Sequence, residues 1–196
     1  MKLGVDIDGC LAQFNDAFAS QLIEVTGKNL FPQDYVRSNP PVWDWPQHMG
    51  YTDAETQETW ERVWKSGTFW RNLTYIPKAG NAVVRLDEAQ REGHDVYYIT
   101  HRAGVRAKRQ TELWLEDTGA RKATVLLAGR KDLVFRALNL DLHIDDRLST
   151  MNEAARLIEE GELHPMRLYL VETRHNAEDR HPMLIPVDSV AEALEK

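Results

Sequence analysis

The chain has 196 residues, 42% of them hydrophobic and 28% charged, which suits one domain or one domain carrying a sizeable insertion. The single cysteine, Cys10, excludes an internal disulfide scaffold or a Cys-rich zinc site, and no apolar run approaches a membrane span. A formal net charge of −7 lacks the basic footprint of a nucleic-acid binder, and Asp6 falls where a leader needs apolar residues; the expectation is a cytoplasmic chain with no membrane partner and no stable nucleic-acid complex.

Residues 3–8 read as a short apolar strand ending in two carboxylates, Asp6 and Asp8. A helix over 16–25 is stopped by Gly27. Residues 28–50 hold four of the eight prolines and read as irregular. Thr52-Asp53-Ala54-Glu55 is a capping box opening a helix through Trp64. From there strands and helices alternate: helix 81–90, strand 96–99, helix 107–116, strand 124–127, helix 133–138 and strand 142–144, which runs into Asp145-Asp146. Helix 150–159, strands 167–171 and 184–187, and a closing helix over 190–194 complete the chain. This alternation predicts an α/β domain with a mainly parallel sheet covered on both faces. Residues 15–76 break the rhythm and read as a small helical insertion after the first strand, dividing the core into 1–14 and 77–196.

Ligands of open parallel sheets bind beyond the carboxyl ends of the strands. Asp6-x-Asp8, Thr100-His101-Arg102, Lys131 and Asp145-Asp146 all fall at such ends. Strand alternation puts Asp6 and Asp8 on one side and makes Asp145 and Asp146 diverge. One aspartate alone is more often a turn former or cap, but this ordered set predicts convergence. Carboxylates so close need a cation, and all-oxygen ligation suits Mg²⁺ rather than zinc.

Asp6-Ile7-Asp8-Gly9-Cys10-Leu11, Ile99-Thr100, Lys131 and His143-Ile144-Asp145-Asp146 together resemble the four motifs of the haloacid dehalogenase (HAD) superfamily, in order. The resemblance implies a Rossmann-like core with a cap inserted after the first strand. It also implies Asp6 as nucleophile forming an aspartyl-phosphate, Asp8 as general acid and base, and Mg²⁺ held by Asp6, the Asp8 backbone carbonyl and Asp145. Asp146 would support the metal from behind or orient Lys131. Lys131 and Thr100 would bind phosphate oxygens. Within the superfamily, Asp6 through Phe14, Phe69-x-x-x-Leu73 with Ile76-Pro77, and Ile144-Asp145-Asp146-Arg147 are similar to the 5′(3′)-deoxyribonucleotidases. Carried over by position, Phe14, Phe69 and Trp70 would stack on a nucleobase. The implied partner is a small phosphorylated substrate of nucleotide type; the pattern carries no signal for oligomeric state.

The sequence departs from that family at Gln13, and at His101-Arg102, which follow Thr100 in place of Ser-Pro. Thr111 stands where the family's phosphate-binding lysine would precede a tryptophan, leaving Arg102, Lys108 or Arg109 to substitute, with His101 beside them. Five of the six tryptophans fall between residues 43 and 70. Trp60 and Trp64, spaced i, i+4, are expected to fill a core of the insertion. Trp43 and Trp45 either line the cleft or seal it. His175 and His181 lack ligand spacing, and Cys10 reads as packing. Two alternatives stay open: a HAD phosphatase for a sugar phosphate or a 3′-phosphorylated nucleic-acid end, and a non-catalytic binding module. Transfer to an acceptor other than water shares the first chemical step with hydrolysis.

Overall fold

Strands β1 (Lys2–Val5), β2 (Asp95–Thr100), β3 (Thr124–Leu127), β4 (Leu142–Asp145), β5 (Arg167–Val171) and β6 (Leu184–Val187) form one all-parallel sheet in the order β3-β2-β1-β4-β5-β6. The computed structural model describes residues 1–196. Alternate residues feed opposite faces, as strand pleating requires. Val96, Tyr98, Tyr169 and Val171 join a core of 33 buried residues; Ile99, Leu168 and Leu170 join a second core of 11. Helices α4 (Ala82–Arg91), α5 (Ala107–Thr118), α6 (Lys131–Leu138), α7 (Leu148–Glu159) and α8 (Val190–Ala193) are the connecting and closing elements. Both faces are therefore covered, which explains why the strands read as near-continuous apolar runs.

Helices α1 and α7 each start two residues earlier than the sequence reading, and three further differences bear on the site. β1 ends at Val5 rather than Asp8, because the Ile7 carbonyl accepts the N–H groups of both Leu11 and Ala12 (2.7 and 2.8 Å) and turns the chain. Gly9 takes φ +84° within that turn. Helix α6 starts at Lys131, two residues before the periodic pattern begins. The Pro-rich stretch holds one helical turn, α2 (Trp45–His48), with Pro46 in its first turn, where no N–H is needed.

Helices α1 (Phe14–Thr26), α2 and α3 (Asp53–Lys65) lie between β1 and β2, and α1 packs on α3. The chain goes into and out of this segment side by side: Gln13 N–H donates to Thr74 O at 2.8 Å and Ile76 N–H to Leu11 O at 2.7 Å. A second tie joins the end of α3 to the loop after β2, where Val105 N–H donates to Trp64 O at 2.7 Å. Gly104 makes that approach possible. It has φ +104°, and a Cβ there would lie 2.3 Å from Trp64 O. Phe18, Leu22, Trp45 and Val63 of the inserted segment belong to the same core as Val5 and Tyr98.

Candidate active site

Parallel register builds the site. Val5 pairs with Tyr98 on one side and Ile144 on the other, so Asp6, Thr100 and Asp145 emerge at one edge. Asp6 N–H still donates to Ile144 O at 2.9 Å, which fixes the start of the turn beyond β1. Lys131, first residue of α6, reaches in from beyond β3. Its Nζ lies 2.9 Å from Asp6 Oδ1 and 2.7 Å from Asp145 Oδ2. The second oxygen of Asp145 accepts Arg147 N–H at 2.8 Å, and buried His143 Nε2 lies 3.1 Å from Asp145 Oδ2. Burial lowers the His143 pKa, so a neutral ring donates that bond. Asp146 turns the other way, into the space a Gly9 side chain would fill: a Cβ there would sit 2.0 Å from Asp146 Oδ2.

The charges do not balance. Burial pushes Asp6 up to about 7; Lys131 pulls it down, and Asp145 and Asp8 push it up again. Asp146 is raised well above the carboxylate range by burial and then by Asp145 and Asp6. Burial also opposes ionisation of Asp145, but Lys131 and the His143 N–H outweigh it and hold Asp145 below its ordinary value. Lys131 stays firmly protonated, because Asp145 and Asp6 overcome its own burial. Asp6 Oδ1, although ion-paired, is a buried atom with no hydrogen bond of good geometry. Asp6, Asp146 and Cys10 bring one ligand atom each within 4.8 Å of one another. Burial and then Asp146 raise the Cys10 thiol, leaving two hard carboxylates as the donors. These residues fit a hard divalent cation, which would restore both carboxylates to their charged form. Asp145 stands outside that group, because its oxygens are already taken by Lys131, His143 and Arg147.

A two-lobed cleft opens over these groups, both lobes sharing Asp8, Phe14, Trp43, Trp60 and Asp146. The larger, about 350 Å³, adds Asp6, Thr100, His101, Lys131, Arg147, Trp64 and Trp70. The smaller, about 280 Å³, runs toward α2 and adds Asn15, Gln47 and His175 among others. Trp43, exposed, lies under the Arg147 guanidinium (5.1 Å) and edge-on to His175 (5.3 Å). Trp45, buried, backs the smaller lobe, with its Nε1–H on Asn15 Oδ1 at 3.2 Å.

Other residues stand elsewhere than expected. Trp64 does not fill a core but walls the cleft, stacked at 6.2 Å on Trp60; Trp60, half-buried, also packs on the Phe14 and Phe18 rings at the edge of the main core, and Thr56, Thr59 and Val63 make the buried face of α3. Phe69 is buried edge-on against Trp70 and Phe14 and does not reach the cleft. Trp70 is almost wholly buried, with Nε1–H donating to Ala103 O at 2.9 Å, and touches the cleft as backing. Lys108 points to solvent and pairs with Glu112, one turn along α5. Arg102 is buried beneath Asp8, with Nε and Nη2 on its two oxygens (2.9 and 2.8 Å), so it is not held out toward a phosphate. Thr100 Oγ1 also donates to Asp8, at 3.3 Å.

The sequence reading missed Asn176 and gave His175 no place at the site. Asn176, fully buried, donates to the carbonyls of Asp146 (2.7 Å) and Val171 (2.8 Å), bolting the loop after β5 to the site. That loop carries His175, whose Nε2 lies 4.0 Å from Asp146 Oδ2. Neither residue has a periodic or spacing signal in the sequence.

Among solved structures, the fold is similar to a haloacid dehalogenase-like family hydrolase from Xanthomonas campestris, at 14% identity and TM-score 0.50 over 100% of this chain and 94% of that one. It is also similar to a putative β-phosphoglucomutase from Thermotoga maritima, at 17% identity and TM-score 0.52 over 99% and 98%. A dehalogenase solved as an intermediate complex aligns at 13% identity and TM-score 0.57 over 99% and 95%. No curated protein matches the sequence at a significant level. Residues 1–164 match the family described as 5′ nucleotidase, deoxy (pyrimidine), cytosolic type C protein (NT5C), a span that includes every strand-end motif of the site. With those motifs gathered at one sheet edge on the HAD fold, the chain belongs to this 5′-nucleotidase family of phosphoric monoester hydrolases.

Proposed function

We propose that the protein is a Mg²⁺-dependent phosphomonoesterase acting on a small nucleotide through an aspartyl-phosphate on Asp6. One observation carries this reading: Asp6, Asp8, Lys131 and Asp146 all line one cleft that is walled on its far side by Phe14, Trp43, Trp60 and Trp64. The residues from 15 to 76 act as the cap that receives the base, and the working compartment is the cytoplasm, as the family description has it.

The Asp6 and Asp146 carboxylates would hold the cation, and its charge would screen the approach of a carboxylate to a phosphate. Asp6 forms the new O–P bond in line as the bond to the leaving oxygen breaks. Asp8, two residues on and facing the same cleft, supplies the proton to that oxygen and takes one from the water that next attacks phosphorus, releasing Asp6. Lys131 places fixed positive charge beside Asp6, and the Thr100 hydroxyl stands at Asp8. The indole faces of Trp60 and Trp64, with Phe14, offer stacking to a base, worth roughly 1–3 kcal/mol per base and tolerant of its identity.

The test is phosphate release from a panel of nucleoside monophosphates and sugar phosphates, with and without Mg²⁺. Nucleotides should be preferred, and chelation should stop turnover. Asp6→Asn should lower turnover by at least about 10³-fold with its thermal unfolding midpoint retained. Equal rates across sugar phosphates would remove the nucleotide reading, and an active Asp6→Asn protein would remove the covalent intermediate.

A further inference from the structure

The last residue of β2 and the two that follow it diverge. Thr100 is buried at the strand end, His101 faces the cleft, and Arg102 turns back beneath Asp8. The Arg102 side chain is fully buried. Its Nε and Nη2 donate to the two Asp8 oxygens at 2.9 and 2.8 Å, and Nη1 donates to Thr111 Oγ1 at 3.1 Å. The guanidinium also lies over two indoles, Trp70 at 5.1 Å and Trp114 at 5.7 Å. Each of these supports is itself anchored. Thr111 Oγ1 donates to Ala107 O at 2.8 Å, Trp70 Nε1 to Ala103 O at 2.9 Å, and Trp114 Nε1 to Leu73 O at 2.7 Å. Asp8, by contrast, has a partly exposed side chain on the cleft wall, and its one further side-chain partner is the Thr100 hydroxyl at 3.3 Å.

We infer that Arg102 is a positioning residue, fixing the direction in which the Asp8 carboxylate faces the cleft and tying that direction to the seat of the inserted segment through Trp70. This rests on the reading of Asp8 as the group that hands a proton to the leaving oxygen. A bidentate fork clamps both oxygens of a carboxylate and so fixes its rotation as well as its place, which a lysine cannot do. Displacing a reacting group by about 1 Å costs about 10²-fold in rate. Trp70 belongs to the returning end of the insertion, so the segment that walls the cleft also braces the residue that aims Asp8.

A leaving-group comparison tests this in the full-length protein with Mg²⁺ present. An alkyl phosphate ester needs a proton on its departing oxygen, whereas p-nitrophenyl phosphate departs as a stable anion. Arg102→Ala should lower kcat/KM about 10²-fold for a nucleoside monophosphate and for glycerol phosphate, and only a few-fold for p-nitrophenyl phosphate. Millimolar guanidinium, filling the vacated space between the two indoles, should restore the alkyl esters. Arg102→Lys, which keeps charge and most of the volume, should show the same split, and it carries the test if the alanine variant does not fold. Equal losses on both ester types would overturn the inference, as a phosphate-binding or merely structural arginine would act on both alike. A lysine variant as active as wild type would overturn it as well. If the wild-type protein cleaves glycerol phosphate but no nucleotide, the nucleotide reading falls while the split still scores Arg102.

Discussion

Lys131 is the residue on which the metal-free site depends. Its ammonium lies within 3 Å of two buried carboxylates, and it is the first residue of α6. Replacing it with methionine leaves Asp6 and Asp145 without their cation, and breaking a buried ion cluster in this way costs about 3–5 kcal/mol. Urea denaturation of Lys131→Met in chelator should show that loss, and a divalent cation should recover part of it. At this scale the sequence was half legible. Strand alternation separated Asp145 from Asp146, but which of the two Lys131 would claim depends on the approach of a helix more than ten residues away. The same limit hid Arg102: a basic residue beside a phosphate motif reads as a phosphate ligand until two tryptophans and a threonine are seen to close over it.

Helix α3 is well marked as an element and poorly marked as a surface. Its capping box forms as the sequence implies: Glu55 N–H donates to Thr52 Oγ1 at 3.2 Å, and Thr52 N–H donates to Glu55 Oε2 at 2.9 Å. Thr52→Ala should therefore cost about 1 kcal/mol, read as a shift in the urea midpoint at unchanged slope. Trp60 and Trp64 do share a face, but periodicity cannot tell which of two adjacent stripes meets the protein and which meets a cleft. Thr59 and Val63 are buried against the protein, Trp60 lies between the Phe14 and Phe18 rings of α1 and the cleft, and Trp64 is left to the cleft. The far end of α3 is held by a contact with no periodic signature, the approach of Gly104 to Trp64. Gly104→Ala must strain a left-handed backbone and also push Trp64 away. It should destabilise the protein by roughly 1–3 kcal/mol, visible in thermal unfolding, and loosen the cleft wall.

For the whole molecule, the buried acids make stability depend on pH and cation together. Asp6 has its folded pKa raised from 3.8 to about 7, chiefly by burial, so its contribution is fully present below about pH 4 and is lost as pH rises through 7. Asp146 shifts in the same direction and adds to the effect. Asp145 shifts oppositely, and its contribution fades only below its ordinary value of 3.8, outside this window. In chelator the protein should thus lose stability between about pH 4 and 7, and Mg²⁺ should flatten the dependence by occupying the same carboxylates. Unfolding midpoints across that range, with and without cation, check the sign. The fold at this scale was largely legible. Strands 124–127, 167–171 and 184–187 coincide with β3, β5 and β6, because each is a short run of mainly apolar residues bounded by polar turns. The loop after β5 was not legible, since Asn176 holds it through backbone carbonyls of residues far apart in the chain.

The two indoles of α3 have a use beyond shaping the cleft. Trp43 and Trp64 are exposed and Trp60 half-buried at its wall, whereas Trp45, Trp70 and Trp114 are buried. The protein thus carries its own optical probe, with three exposed or half-buried indoles on the cleft wall and three buried ones, of which Trp45 and Trp70 back that wall. A ring stacking on α3 should quench the solvent-exposed, longer-wavelength part of the emission and leave the buried part unchanged, whereas inorganic phosphate should leave both alone. Occupancy of the cleft can therefore be titrated without a label, and Trp64→Phe should remove much of the signal while the fold persists.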